Sequence, residues 1–288
     1  MKYDLHVHTN YSDGIYSPQE MIDKAIEKDL NGIAITDHDT VSALYEAEKY
    51  SREIEGFRFI PGIELGTIYN NEEVHILGYY IDYGSDEIIN ATKKLRENRI
   101  IRGKKILKKL QSMDININYN EVNKLSKEGF TGRAHIAKVL TNKGYVRSID
   151  EAFKKYLNKG GPAYVERKTL SLKESIDLIK RVGGVSVLAH PRLLDKQNRI
   201  IQDAIKKGIQ GIECIHSKHS DDEVKKFKKI AKENDLLVSA GSDCHGRNIN
   251  GKLLLGDYFI NENQLSEIKE LRRWAHIKGK DRGNFQQQ

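Results

Sequence analysis

Histidine and carboxylate side chains recur where short apolar segments of this chain end. The first such segment carries His6 and His8 with Asp13 close behind, and a C-terminal segment is followed by Asp243 and His245. Residues two apart in a strand face the same side, so His6 and His8 point together. The full candidate set is His6, His8, Asp13, His38, Glu64, His75, His190, Asp243 and His245.

These donor types indicate a site for several divalent cations. Imidazole and carboxylate ligands suit Mn²⁺, Zn²⁺ or Fe²⁺, and the set lacks the paired thiolates of a structural zinc site. Cations held in this way lower the pKa of bound water, and their usual work is hydrolysis. Cys214 and Cys244 are too few for a disulfide framework. With no signal peptide or long apolar run evident, we expect a cytoplasmic protein.

Alternating strands and helices must position these residues. Working groups of a βα barrel lie at the C-terminal ends of its strands, and most of the candidates do so. His75 is the exception, because it lies inside its predicted strand. The predicted strands are Lys2–Val7, Ile33–Thr36, Phe57–Leu65, Val74–Ile81, Val185–Ala189, Gly211–Ile215, Leu236–Ala240 and Leu253–Ile260. Outside the central segment, the predicted helices are one opened by Ser17 and Pro18, Val41–Ile54, Leu172–Val182, Asp221–Asn234 and Gln264–His276.

A basic helical segment interrupts this alternation. Residues 91–160 contain 18 Lys and Arg against 6 Asp and Glu, whereas the rest of the chain contains 30 against 35. Such a segment beside a metal site favours a polyanionic substrate, although a solvated lysine-rich helix face is the simpler alternative. Its predicted helices are Asp86–Met113, Tyr119–Lys127, Arg133–Lys143 and Ile149–Leu157. The predicted division is barrel at 1–88, insertion at 89–160, barrel at 161–277 and a flexible tail at 278–288.

Six short motifs in this order resemble the PHP (polymerase and histidinol phosphatase) family, and the resemblance covers nearly the whole chain. The motifs are Asp4–Thr9 with Ser12–Gly14, Ile35–Thr40, Pro61–Glu64, Val74–Tyr79, Leu188–Pro191 and Gly241–His245. The resemblance implies a distorted (β/α)7 barrel and a metal-dependent phosphoesterase with a trinuclear centre, with Mn²⁺ as the first choice of metal. Asp37 and Asp39 are expected to orient His38 or neighbouring imidazoles, with plain capping or solvated carboxylates as the alternative.

The resemblance also distributes the ligands among three cations. The first would be held by His6, His8, Glu64 and Asp243, and Glu64 would bridge to a second. The second would be completed by His75 and His190, and the third would be held by Asp13, His38 and His245. A metal-bound hydroxide would attack phosphorus in line, so no protein nucleophile is needed.

The insertion narrows the resemblance to one branch of the family. The segments Thr131–Ala137 and Gly160–Val165 resemble nucleoside 3′,5′-bisphosphate phosphatases and 5′→3′ exonucleases of short RNA. The family segment commonly has proline where this chain has Ala134. Arg133 and His135 could then clamp a second phosphate, and Arg192 could reach the same rim. His219 could protonate the leaving oxygen or bind phosphate, although an ordinary loop histidine is nearly as good an interpretation.

Three other functions remain open at this point. Histidinol-phosphate phosphatase belongs to the same family, but one small monophosphate does not need a basic cover. A non-catalytic nucleic-acid-binding module would use the barrel as structure alone, which a complete ligand set disfavours. Hydrolysis of an amide or lactone on a similar barrel would not explain the basic insertion. The substrate is expected to be a nucleotide or short oligonucleotide, and no obligate protein partner is evident.

Overall fold

A seven-stranded sheet forms the centre of the molecule. The structure, a computed structural model, describes residues 1–125, 132–249 and 251–283, with side chains described to Arg272 apart from that of Ile249. The sheet order follows the chain order from β1 to β7. The strands are β1 (Tyr3–Val7), β2 (Gly32–Ile35), β3 (Arg58–Tyr69), β4 (Glu72–Tyr79), β5 (Val185–Leu188), β6 (Gly211–His216) and β7 (Leu237–Gly241).

The sheet curls into a nearly closed barrel. The last strand returns to the first, where Val7 and Cys244 form a parallel bridge. There the His8 N–H donates to the Cys244 carbonyl at 2.9 Å. This confirms the predicted distorted barrel of seven strands with a helical insertion. Both cysteines are buried, and neither forms a disulfide.

One strand breaks the parallel arrangement of the sheet. Strand β4 runs antiparallel to both β3 and β5, whereas the other neighbours pair in parallel. The turn between β3 and β4 consists of Asn70 and Asn71, with φ of 49° and 65°. Two left-handed residues in a two-residue turn match the right-handed twist of a hairpin, and asparagine tolerates that conformation. Strand β4 is therefore the point where this barrel departs from the parallel strands of a regular βα barrel.

Helices cover the outside of the barrel and build the insertion. They are α1 (Pro18–Glu27), α2 (Leu44–Ser51), α3 (Asp86–Gln111), α4 (Tyr119–Asn123), α5 (Arg133–Asn142), α6 (Ile149–Ala152), α7 (Leu172–Arg181), α8 (Gln197–Lys206), α9 (Asp221–Glu233) and α10 (Glu262–Gly283). Ser17 caps α1 through a capping box with Glu20, and Pro18 occupies its first turn. Serine accepts an otherwise unpaired N–H, and proline has none to leave unpaired. This helix start therefore follows directly from the local sequence.

Several predicted boundaries differ from the observed ones. The pattern does not predict α8, although Ile200, Ile201 and Ala204 give it a buried face. The predicted strand Leu253–Ile260 is wrong, since only Lys252–Leu253 is extended, in a small hairpin with Asn248–Ile249. A single bridge from Ile260 to Tyr3 replaces the rest of it. A turn of π-helix (Phe153–Leu157) continues α6.

The C-terminal helix extends past its predicted end. It continues to Gly283 beyond His276, so residues 278–283 are helical where a flexible tail was predicted. Residues 284–288 and the end of the predicted helix Tyr119–Lys127 lie outside the described residues. The division into barrel and insertion at 89 and 160 stays a prediction.

Two apolar cores share one long helix. The first half of α3 buries Ile88 and Leu95 in the barrel core. Its second half buries Ile106 and Leu110 in a separate core formed with α4, α5 and α6. One continuous helix thus fixes the insertion relative to the barrel, because bending it would expose apolar surface. Within the described residues, no helix has the length and apolar character that spanning a membrane requires.

Candidate metal centre

The barrel brings all nine candidate metal ligands to one rim. His6 and His8 leave the end of β1, and His38 follows β2. His190 follows β5, and Asp243 and His245 follow β7. Glu64 and His75 come from the β3–β4 hairpin and both lie inside their strands. The prediction that Glu64 lies at a strand end is wrong, because β3 continues to Tyr69 beyond its predicted end at Leu65. Because β4 runs antiparallel to its neighbours, its side chains reach the rim from the opposite chain direction.

Glu64 lies at the middle of this cluster and is fully buried. Its Oε1 is 2.7 Å from His75 Nδ1 and 3.1 Å from His190 Nε2. Its Oε2 is 2.8 Å from His38 Nδ1 and 3.3 Å from His8 Nε2. A carboxylate whose two oxygens each face two or more imidazoles is suited to bridge two cations.

Asp243 is a second carboxylate that faces imidazoles, and it lies beside β1. Its Oδ1 is 3.1 Å from His8 Nε2 and 3.4 Å from His6 Nε2. The backbone of Asp243 is left-handed, with φ of 56°. Such a conformation strains a non-glycine residue and is typical of a side chain aimed at a functional site. Beyond it, His245 Nε2 lies 3.2 Å from Asp13 Oδ1, and His38 Nε2 lies 3.9 Å from Asp13 Oδ2.

Several of these donor atoms face a shared centre without bonding one another. His38 Nδ1 and Glu64 Oε2 are 2.8 Å apart, yet neither atom makes a hydrogen bond of acceptable angle within the described residues. The same holds for His6 Nε2 and for both ring nitrogens of His8. Buried polar atoms without partners are rare in native proteins, so each needs an explanation. Two ligands about 2.1 Å from one cation are about 3.0–3.5 Å apart, which fits this arrangement.

The carboxylates hold positive charge in the cluster. Burial opposes the charged ring of His6, yet Glu213, Asp243 and Glu64 raise its pKa well above its usual value. Against the same burial, the carboxylates raise the pKa of His75 and of His245 to about 10. Cations would replace these protons, because a coordinating imidazole must be neutral.

His8 behaves differently within the same cluster. Burial and the neighbouring His245 lower its pKa to about 4. His8 is therefore neutral at physiological pH and has a ring nitrogen available for a cation. The donors separate into overlapping groups, of which His8, Asp13, His38 and His245 form one and His38, Glu64 and His75 another. His38 lies between two groups, through a different ring nitrogen in each.

Two residues of the cluster are not among the candidates. Glu213 is fully buried, and its Oε1 is 3.0 Å from His6 Nδ1. Its Oε2 accepts the backbone N–H of His190 at 2.7 Å. His216, at the end of β6, lies with its ring centroid 5.4 Å from that of His190. The sequence signal that could have identified Glu213 is a carboxylate inside the apolar predicted strand Gly211–Ile215. An unpaired charge buried in such a strand would be too costly, so it needs a partner.

Asp37 and Asp39 do not have the expected role. Both are buried, so they are not solvated carboxylates, and within the described residues neither bonds an imidazole. Asp37 accepts the Thr9 N–H at 2.7 Å and the Ser12 hydroxyl, and so shapes the loop that presents Asp13. Asp39 instead accepts the Gly66 N–H at 3.0 Å and binds two arginines.

A buried arginine and carboxylate network joins the insertion to the barrel. Asp39 pairs with Arg99, from Nε at 2.5 Å, and with Arg167. Arg167 Nη1 also lies 2.8 Å from Glu73 Oε1, and Glu73 pairs in turn with Arg133. Although burial would raise it, contact with His75, Arg167 and Arg133 holds the pKa of Glu73 well below its usual value. Glu73 therefore links this network to the metal cluster, 3.6 Å from His75 Nε2.

The structure places two predicted substrate contacts from α5 near the cluster. Arg133 bonds Glu73 and the Leu157 carbonyl, and its guanidinium carbon lies 5.5 Å from the centroid of the Phe153 ring. Burial is the main cause that lowers the pKa of His135 to about 4, and Asp13 acts against it. This electrostatic contact with Asp13 shows that α5 lies over the cluster. Thr131, which precedes this segment, lies outside the described residues.

The other two predicted substrate contacts are Arg192 and His219, and neither belongs to a ligand group of the described residues. Arg192 Nε pairs with Glu223 at 2.5 Å, and its side chain is 53% exposed. Among the described contacts, none joins Arg192 to the histidine cluster. The His219 ring lies 5.3 Å from that of His216, and its Nδ1 is 2.9 Å from the Cys214 carbonyl. His219 thus borders the cluster without belonging to any of its ligand groups.

Comparison with known proteins gives a consistent set of relatives. The family model described as PHP domain matches residues 4–169. The 5′-3′ exoribonuclease Rnm of Salmonella typhimurium is 32% identical over 248 residues, covering 84% of this chain and 85% of that protein. The 3′,5′-nucleoside bisphosphate phosphatase of Chromobacterium violaceum is 32% identical over 254 residues, covering 86% and 89%.

A solved structure extends the likeness to three dimensions. A Bifidobacterium adolescentis protein assigned to the metal-dependent phosphoesterases superposes with a TM-score of 0.82 at 32% identity. The superposition covers 92% of this chain and 94% of that one. The likeness therefore includes both the barrel and the insertion, rather than the barrel alone.

Proposed function

This chain belongs to the PHP-domain family and is a phosphoester hydrolase, and from that premise we propose that it hydrolyses phosphate esters of nucleotides with three divalent cations. Its substrates would be nucleoside 3′,5′-bisphosphates, the 5′ ends of short oligoribonucleotides, or both. The observation that carries this proposal is Glu64, whose two carboxylate oxygens face four imidazoles within 3.3 Å. The imidazole and carboxylate donors suit Mn²⁺, Zn²⁺ or Fe²⁺, and among these we propose manganese as the first choice.

The proposed ligand assignment follows the family resemblance, and the distances agree with it for the first cation. One cation would be held by His6, His8, Glu64 and Asp243, whose facing atoms lie 3.1–3.5 Å apart. Glu64 would bridge to a second cation completed by His75 and His190, and Asp13, His38 and His245 would hold the third. When bound, the cations would supply activated water and neutralise charge on the phosphoryl oxygens.

The residues of the chain would orient the ligands and exclude bulk water. Glu213 holds the His6 ring through Nδ1, which leaves Nε2 facing Glu64 and Asp243. Partners of this kind set the tautomer and direction of a ligating imidazole. The fully buried positions of His6 and Glu64 keep solvent from competing with the phosphoryl group. Charge interactions are stronger in such a site than in water.

The arginines beside the cluster favour a substrate with a second phosphate. Arg133 and Arg167 share Glu73 as a carboxylate partner. Burial lowers the pKa of Arg102 to about 10, and the nearby charge of Arg133 adds to this effect. A guanidinium group such as that of Arg133 can bind phosphate through two N–H donors. A phosphate at Arg133 would take over the contact that Glu73 makes here. Relatives named for bisphosphate and RNA hydrolysis support the same class of substrate.

Replacement of Arg133 tests the second-phosphate contact. We expect Arg133→Gln to raise KM for a nucleoside 3′,5′-bisphosphate by about 10–100-fold, since a charged hydrogen bond contributes about 1.5–3 kcal/mol. KM for p-nitrophenyl phosphate, which has one phosphate, should change by less than about threefold. Arg181→Gln removes an exposed ion pair with Glu87 and serves as the matched control. An equal rise in KM for both substrates would contradict the assignment.

A substrate panel separates the remaining functions. Protein supplemented with Mn²⁺ should release phosphate from 3′,5′-bisphosphates or mononucleotides from 5′-phosphorylated short RNA. Phosphate release from histidinol phosphate alone would favour histidinol-phosphate phosphatase instead. Salt-sensitive binding of long RNA without turnover would indicate a binding module. The buried arginines near Glu73 favour the first result, because histidinol phosphate has only one phosphate for them to contact.

A further inference from the structure

His216 is a buried histidine to which the proposed function gives no part. It ends strand β6 and is 1% exposed. Its ring lies 5.4 Å from that of His190 and 6.1 Å from that of His6. Its Nε2 is buried and makes no hydrogen bond within the described residues. A polar atom buried in this way is costly unless something outside the chain completes it.

The tautomer of His216 follows from its other ring nitrogen. The backbone N–H of Lys218 donates to His216 Nδ1 at 3.1 Å. A backbone N–H can only donate, so Nδ1 has a lone pair and no proton. In a neutral imidazole the proton then lies on Nε2. His216 consequently presents an N–H group, and not a lone pair, towards the cluster.

This tautomer excludes a cation at an otherwise attractive position. His6, Glu213 and His216 could form a ligand group by distance alone. Both oxygens of Glu213 are already engaged, one with His6 Nδ1 at 3.0 Å and the other with the His190 N–H at 2.7 Å. A protonated Nε2 cannot coordinate a cation. The group therefore supports the metal site and does not form a fourth one.

The donor of His216 faces the side of Asp243 that His6 and His8 do not. Asp243 Oδ1 faces those two imidazoles, whereas Oδ2 lies 3.6 Å from His216 Nε2. A separation of 3.6 Å is too long for a hydrogen bond. Within the described residues no oxygen lies in hydrogen-bond range of this N–H, so it needs an oxygen from another source, located beside Asp243. Asp243 is a proposed ligand, so this position adjoins a bound cation.

We propose that His216 Nε2–H binds a phosphoryl oxygen of the substrate beside Asp243, as a neutral hydrogen-bond donor. The inference rests on the proposed function, because it takes the substrate to be a phosphate ester at this site. A neutral donor suits a place next to cations, since an imidazolium there would be repelled. The donor would strengthen its contact as negative charge develops on the transferred group.

His219, the histidine that the sequence favours for such a role, has the opposite tautomer. Its Nδ1 lies 2.9 Å from the Cys214 carbonyl, which can only accept, so Nδ1 has the proton. The neutral ring then presents a lone pair at Nε2. His219 is thereby suited to fix its own loop and not to donate to phosphate. The two neighbouring rings therefore differ in role, because His216 presents an N–H donor and His219 presents a lone pair.

Nitrogen NMR of the histidine rings tests the tautomer directly. In zinc-loaded protein labelled with ¹⁵N-histidine, we expect His216 to show a protonated Nε2 and an unprotonated Nδ1. The resonance would be assigned by its loss in His216→Gln. A His216 Nε2 without a proton, or one bound to metal, would overturn the proposal. This measurement does not depend on any activity.

Paired substitutions test the phosphate contact. His216→Met has a similar volume without a donor, whereas His216→Gln keeps an N–H near the Nε2 position. We expect both to retain the wild-type zinc content, and His216→Met to weaken binding of inorganic phosphate by about 10-fold. His216→Gln should recover part of that affinity. Loss of one zinc per chain in both variants would instead make His216 a ligand and overturn the proposal.

The same measurements separate this inference from the proposed function. Unchanged phosphate affinity in His216→Met would overturn the donor role, as would a larger loss in His219→Gln than in His216→Met. Wild-type protein that binds phosphate but hydrolyses no nucleotide would refute the proposed function and leave the His216 contact standing. Should His216→Met fail to fold, the NMR result and His216→Gln decide.

Discussion

At the scale of the residue, one carboxylate organises the site. Glu64 contacts imidazoles from four different strands or strand ends, and it has no exposed surface. Burying a carboxylate is costly unless positive charge surrounds it, so Glu64 and the histidines depend on each other. The histidines hold the pKa of Glu64 well below its usual value against the effect of burial. Metal binding and activity should therefore fail together when this charge is removed.

Glu64→Gln keeps the shape of the side chain and removes its charge. We expect the bound metal to fall by at least one ion per chain and kcat to fall by about 100-fold or more. Metal content by plasma mass spectrometry and phosphate release measure the two effects. Glu87→Gln, at an exposed ion pair with Arg181, is the control and should change neither. Full metal content in Glu64→Gln would contradict the bridging role.

At the scale of the element, helix α5 connects the insertion to the site. It begins at Arg133 and places His135 where Asp13 affects its pKa. Because the pKa of His135 is lowered to about 4, mainly by burial, the ring is neutral near pH 7. The Gly132 N–H donates to its Nδ1 at 3.3 Å, so the proton lies on Nε2. His135 can thus contact phosphate as a neutral donor and not as a cation.

The lowered pKa of His135 predicts a pH dependence of stability. An unfolded chain protonates this histidine below about pH 6.5, whereas the folded protein does so only near pH 4. Lowering the pH from 7 to 5 should therefore cost wild type about 1–2 kcal/mol of unfolding free energy through this residue. His135→Gln should not show this decrease of about 1–2 kcal/mol, as measured by urea unfolding at both pH values. Identical pH dependence in the two proteins would rule out the buried neutral ring.

At the scale of the whole molecule, closure of the barrel brings the first and last strands of the sheet together. Gly241 ends β7 against His6, and a Cβ there would lie 2.6 Å from the His6 nitrogen and 2.9 Å from its Cα. Backbone atoms cannot move aside as a flexible side chain can. Only glycine allows β7 to approach β1 this closely. The same contact positions His6 and, two residues later, Asp243.

Gly241→Ala should consequently push β7 away from β1. We expect the free energy of unfolding to fall by about 1–3 kcal/mol, the cost of overpacking, with loss of bound metal as His6 moves. Gly84→Ala is the matched control, because its Cβ would meet only Asp82 Oδ1 at 3.6 Å. Chemical denaturation and metal analysis of both variants provide the comparison. Equal stability of Gly241→Ala and Gly84→Ala would show that the contact between β7 and β1 tolerates a side chain.

The sequence by itself determined which donors are present and which segments form most of the strands. His6 and His8 share a face because of the strand repeat, and the helix start at Ser17 is a local capping pattern. The basic insertion was likewise evident from charge alone. These features depend on neighbours along the chain, so a sequence pattern is enough to predict them.

Only the tertiary structure decided which residues complete the site. The antiparallel course of β4, the partners of Glu213 and the network around Glu73 all join segments that are distant in sequence. Asp39 illustrates the limit, because its neighbours in the chain suggest an imidazole partner and its actual partners are arginines. Such contacts depend on how the barrel closes and on where α3 places the insertion, which no local pattern specifies.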